Sequence, residues 1–236
     1  MTGRGPRTVV VAGASRGIGG AVAQHFAAKG ARVLGLSRTP AAAGEWIEAD
    51  LAAPAGLDHA GAEVRRRLDG AALDALLYMG GTWEAGAFTD AYRFLGSHAA
   101  ETRQVIAVNL VAPIELARVL TPALATASNA VIALMGANMA LDGRARPEVA
   151  NTASKAGLRG AAAAMRATLR PMGIATTVIN PTNVATEEVL EDIAEGRFGP
   201  QTPIPLADLT ATLDWLLSLS SASEVEEVDL GQRDPG

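Results

Sequence analysis

Residues 7–20, RTVVVAGASRGIGG, narrow the choice of folds more than any other stretch. A short β-branched run ended by glycine reads as a buried strand. Glycines follow at Gly13, Gly17 and Gly19, and the Ala-rich stretch at 19–30 reads as a helix closed by Gly30. A strand that enters a helix through a glycine turn leaves helix N–H groups free at the turn, where a phosphate is welcome. Such a turn also fits an ordinary strand–helix connection. Its place directly after the first strand favours a nucleotide.

The alternation continues along the chain. Strands are expected at 31–37, 46–50, 73–81, 129–135, 174–181 and 225–231, and helices at 57–70, 101–125, 149–170 and 206–219. Repeated strand–helix alternation implies right-handed crossovers and a parallel sheet with helices on both faces. No repeat, low-complexity linker or domain boundary interrupts the pattern. The expectation is one α/β domain over residues 1–236, a doubly wound parallel sheet of about seven strands. The least regular segments, 82–100 and 185–204, are the candidates for lining a substrate site.

Composition excludes several function classes. Hydrophobic residues make up 49% and aromatics 4%, so the core is aliphatic. A net charge of −5 argues against a nucleic-acid surface. No apolar run approaching the ~20 residues of a membrane span is visible. The chain has no cysteine, which leaves no disulfide framework or thiolate chemistry. His25, His59 and His98 are scattered without ligand spacing, so no metal site is expected. The first strand begins at residue 7, leaving no room for a signal peptide, and a cytoplasmic location is the expectation.

The second strand ends at Ser37-Arg38. Sites for NAD place an acidic residue here to bind the ribose 2′-OH. Two guanidiniums, Arg38 and Arg16, converging near the ribose would suit a 2′-phosphate and favour NADP(H) over NAD(H). The competing reading makes both arginines plain surface charges.

In order and spacing, these features resemble the short-chain dehydrogenase/reductase family over nearly the whole chain. AGASRGIG (12–19) matches the family's TGxxxGIG, with Ala12 in place of Thr. The resemblance implies cofactor contacts from Gly13, Ser15, Arg16, Gly17, Ile18 and Gly19, then from Ser37 and Arg38. Asp50 and Leu51 match the pair that contacts adenine. YMGG (78–81) stands where the family has NNAG, which brings in Gly80 and Gly81. NPTNVAT (180–186) resembles the PGxxxT segment at the nicotinamide and pyrophosphate, with Thr182 for Gly, and implicates Pro181, Val184 and Thr186. The resemblance further implies a Rossmann-type strand order 3-2-1-4-5-6-7. It also implies a homodimer or homotetramer joined through the helices at 101–125 and 149–170. The family is common in secondary metabolism.

The reacting centre departs from the pattern. By resemblance, a tyrosine protonates the substrate carbonyl, a lysine lowers that phenol's pKa and holds the nicotinamide ribose, a serine hydrogen-bonds the carbonyl oxygen, and a helix asparagine holds a water. Lys155 and Asn109 match the lysine and the asparagine, but Asn151 stands in the tyrosine's place. The serine position falls on Asn138 by spacing from the tyrosine and on Gly136 by alignment of the strand. The alternative tyrosine place of enoyl reductases is Glu148. An amide does not release a proton near neutral pH, and loss of a positioned acid costs roughly 10²–10⁴ in rate. Asn138 and Asn151 are suited instead to donate hydrogen bonds to a developing oxyanion.

That chemistry fits hydride delivery to an iminium, hydride delivery to a conjugated acceptor whose enolate water protonates, or a non-redox isomerisation or cyclisation of a small molecule. Two other readings stay open. In one, the chain is a silent NADP-binding subunit or regulatory partner, with Asn151 only capping its helix and Asn138 only making a turn. In the other, ordinary ketone reduction continues with a substitute acid, for which Tyr78, Tyr92, His98 and Asp142 are the candidates.

Overall fold

A computed structural model describes residues 7–233. Seven parallel strands form one sheet in the order β3-β2-β1-β4-β5-β6-β7. They are β1 (Thr8–Ala12), β2 (Arg32–Ser37), β3 (Glu45–Glu48), β4 (Ala75–Tyr78), β5 (Ala130–Met135), β6 (Ile174–Pro181) and β7 (Glu227–Leu230). The helices are α1 (Gly17–Ala28), α2 (Pro54–Leu68), α3 (Ala99–Ile106), α4 (Ala112–Leu124), α5 (Val149–Leu169), α6 (Glu187–Ala194) and α7 (Leu206–Ser218). The expected α/β class and strand order are both found.

Alternate residues of each strand feed opposite faces of the sheet. In β1, Val10 joins Leu116, Leu120 and Leu158 on the face covered by α2, α4 and α5. Val9 and Val11 join Val22, Phe26, Leu209 and Leu213 on the face covered by α1 and α7. A sheet buried on both faces reads as continuous apolar runs, which is why the strands stood out in the sequence.

Three expectations need correction. The helix expected at 101–125 is broken. A π turn over Ala107–Val111 separates α3 from α4, with the Ala112 amide donating to Ala107 O. Pro113 follows and has no N–H to restore the ladder, so the break is built into the sequence. The slipped ladder leaves Val108 O to accept from the Tyr78 hydroxyl. Segment 185–204, expected to be irregular, contains α6, whose N-terminus is capped by the Thr186 hydroxyl accepting from Val189 N. Finally, the combined helical stretch Ala99–Leu124, which holds an 18-residue window of mean hydropathy 1.5, is long and apolar enough to cross a membrane by length and composition. Its Leu116, Leu120 and Leu124 are fully buried against the sheet, as in the core helix of a globular domain.

Candidate active site

The C-terminal ends of the strands open into one cleft of about 610 Å³. It lies where the chain crosses from β1 to neighbours on either side, the usual place for a ligand in a doubly wound sheet. Gly13 sits there at φ +83°, and a Cβ on it would come within 2.7 Å of Gly80 Cα. The ends of β1 and β4 thus touch backbone to backbone. Beyond the turn, α1 begins with no side-chain cap at Arg16, so its first amides remain available to an anion.

The remaining nucleotide-side residues named from sequence, from Ser15 and Ile18 through Asp50, Leu51 and Gly81 to Pro181, Val184 and Thr186, all line this cleft. Val184 is buried and held by a bridge to Ile204. Both arginines line the cleft. Arg16 forms an ion pair with Glu188 of α6, across the mouth of the cleft. Arg38 is exposed and carries no partner among the described residues. Ser37 is buried and its hydroxyl donates to Thr39 O at 2.8 Å, so it has no proton left to offer a phosphate.

At the reacting centre, the π turn aims Asn109 inward, where it is 1% exposed. Its Oδ1 accepts from Thr82 N at 2.9 Å, and its Nδ2 donates to Thr82 O at 2.8 Å. The same Nδ2 reaches Asn151 Oδ1 at 3.2 Å and Ser154 Oγ at 3.1 Å. The side-chain amide of Asn109 is therefore committed to protein partners, Asn151 among them. Asn151 lines the cleft and is 4% exposed, with Nδ2 resting on Met139 Sδ at 3.4 Å. Sulfur is a weak acceptor, so this N–H remains open to a stronger one.

One turn further along α5, Lys155 Nζ donates to Met135 O at 2.8 Å. Among the described residues Lys155 has no carboxylate partner, and burial pushes its ammonium down to about 8.

The helix-cap reading of Asn151 fails on geometry. Glu148 is the N-cap of α5, and Asn151 lies within the helix. The amides of Ala150 and Asn151 donate instead to Glu84 Oε1, at 2.7 and 3.2 Å. Glu84 comes from the loop after β4, is 2% exposed, and was missed in the sequence because it caps a helix 66 residues away. Asn138 begins a short 3-10 turn over Asn138–Ala140 and lines the cleft; its side chain has no hydrogen bond among the described residues. A Cβ on Gly136 would lie 2.2 Å from Asn180 Oδ1, so a side chain there would require Asn180 to shift. The expected oxyanion donors, Asn138 and Asn151, both line the cleft.

None of the four candidate substitute acids lines the cleft. Burial pushes the Tyr78 hydroxyl far up, and it faces Val108 O. The Tyr92 hydroxyl accepts from Val149 N at 3.2 Å, and His98 caps α3 through Nδ1. Asp142 lies in open solvent, 3.9 Å from Arg159.

A model of the short chain dehydrogenase family matches residues 7–195. Protein FixR from Bradyrhizobium diazoefficiens is 30% identical over 210 residues, which cover 84% of this chain and 74% of FixR. Among solved structures, a short-chain dehydrogenase/reductase family oxidoreductase from Brucella ovis, in complex with a partially ordered NAD, is 29% identical. It aligns with a TM-score of 0.78 over 96% of this chain and 100% of that one. A metagenomic short-chain oxidoreductase in complex with NADP shares the fold with a TM-score of 0.77 at 23% identity, over 97% of each chain. The family match takes in every strand through β6 together with Asn109, Asn138, Asn151 and Lys155, and on that match this chain belongs to the short-chain dehydrogenase family.

Proposed function

We propose that the protein is an NADP(H)-dependent oxidoreductase that reduces a conjugated small molecule, using asparagine amides where its family uses tyrosine and serine. The observation that carries this reading is the Asn151 amide, buried, held by Asn109, and donating only to a sulfur. The cleft fits a dinucleotide: the glycine turn leaves no room for side chains at Gly13, and the first amides of α1 are uncapped. Nicotinamide supplies the hydride when bound. Arg38, without a partner, would hold the 2′-phosphate, and Lys155 the ribose hydroxyls.

The chain's own part is electrostatic. As hydride adds to the β-carbon of a conjugated carbonyl, the electron pair moves to the carbonyl oxygen. The N–H groups of Asn151 and Asn138 stabilise that oxygen. The resulting enolate takes its proton from water, so no phenol is required. A cationic iminium acceptor is disfavoured, because the charges on the cleft without an acidic partner include Lys155 and Arg38. We also propose a homodimer or homotetramer through α4 and α5, where Val111, Ile114 and Val149 stand exposed.

Two measurements test this. NADPH oxidation with a panel of saturated ketones and aldehydes should be at least 10²-fold slower than with α,β-unsaturated carbonyls. Equal rates would show that another group supplies a proton, and no turnover with either set would favour a silent subunit. In calorimetry, NADPH should bind more tightly than NADH, and Arg38→Ala should weaken NADPH about tenfold while sparing NADH. An unchanged NADPH affinity in Arg38→Ala would refute the assigned role.

A further inference from the structure

Opposite the nucleotide half, the cleft is walled by aromatic side chains in an otherwise aliphatic protein. Trp83 is 52% exposed, and its ring meets that of Phe88 edge-on, with centroids 6.0 Å apart and planes at 61°. Phe88 holds φ +66°, a region that bulky side chains avoid. Such strain persists only where the surroundings impose it. Here Glu148 imposes it, 3% exposed, with Oε1 accepting from Phe88 N at 2.7 Å. Glu84, in the same loop, is tied to the amides of α5. Two buried carboxylates thus lock the loop in the conformation that turns Phe88 into the cleft and leaves Trp83 beside it.

Charge at this end is one-sided. Of the acids lining it, Asp192 is paired with Arg197 and Glu188 with Arg16. Arg146 lines the cleft from the loop before α5, and its guanidinium has no partner among the described residues. Asn138, whose side chain also has no hydrogen bond among the described residues, lines the cleft too.

Resting on the reductase reading above, we infer that the substrate is a flat, conjugated ketone or aldehyde that also carries a carboxylate, its apolar body against Trp83 and Phe88 and its carboxylate on Arg146. Aromatic faces favour planar partners over flexible chains of equal size. A guanidinium fork matches a carboxylate in two hydrogen bonds, which a neutral amide cannot reproduce.

The test needs no turnover. The NADP⁺-saturated protein is titrated by calorimetry with cinnamate, cinnamamide and hexanoate. Cinnamate should bind at least tenfold more tightly than either of the others. Arg146→Ala should abolish the preference for cinnamate over cinnamamide, Arg146→Lys should keep part of it, and Trp83→Ala should abolish the preference over hexanoate. Equal affinities for the three compounds, no binding of cinnamate, or a carboxylate preference that survives Arg146→Ala overturns the inference. Selective cinnamate binding, in a protein that oxidises NADPH with no conjugated acceptor, would uphold this subsite and remove the reductase reading. Rapid enone reduction without any preference for cinnamate would do the reverse.

Discussion

Asn151→Ala lowers turnover of a conjugated substrate by about 10²-fold or more, the scale of a lost oxyanion donor. The melting temperature and NADPH affinity stay near those of the wild type. The asymmetry follows from what Asn151 touches. Its side chain caps nothing, since Glu84 holds the amides of α5. Removing it deprives Asn109 Nδ2 of one acceptor but leaves Thr82 O and Ser154 Oγ in place. No buried donor is stranded, and the stability cost stays at about 1 kcal/mol or less. Single-turnover NADPH oxidation, run beside a thermal melt, reads both quantities. If the variant melts several degrees lower and turns over normally, Asn151 is a packing residue and the oxyanion role is lost.

A second large effect lies in the pH dependence of the cofactor-free protein. Lys155 is buried with no counter-charge, and its ammonium titrates near 8 in the folded chain against 10.5 when unfolded. Below pH 8 both states carry the charge, and the folded state bears the full cost of burying it. Between about 8 and 10.5 the unfolded state binds the extra proton, so folding stability rises with pH across that window. The interval corresponds to about 3 kcal/mol. Urea denaturation of wild type and Lys155→Met, from pH 7 to 10.5, isolates the contribution. The wild type should gain on the variant by an amount of that order as pH rises. Loss of the hydrogen bond to Met135 O also penalises the variant, but equally at every pH. Parallel pH profiles for the two proteins would mean that Lys155 is solvated or paired.

Much of the molecule was legible in the chain alone, wherever structure follows from local pattern. A strand buried on both faces must be an apolar run, and the glycine turn must precede a helix, so the parallel α/β class followed from local pattern, while the strand order came from the family resemblance. The substitution at Asn151 and the survival of Lys155 and Asn109 were likewise plain by position. Some local signals were present and outweighed. Thr186 followed by Glu187 and Glu188 is a helix start, masked by the glycine and proline around 196–205. Pro113 marked the break in the long helix.

What tertiary structure alone decided is what each polar side chain faces. The sequence left Gly136 and Asn138 as equal candidates for the serine position, and only the fold shows that a side chain at Gly136 would displace Asn180 Oδ1. Tyr78 was a possible acid until packing turned its hydroxyl onto Val108 O. Arg16 and Arg38 read as a pair until Glu188 of α6 claimed the first. Glu84 and Glu148 carried no motif, yet they hold the start of α5 and the strained Phe88. Periodicity and spacing are properties of neighbours along the chain. A hydrogen bond between residues 66 apart depends on folding to bring them together, and such long-range pairings shape the cleft around α5.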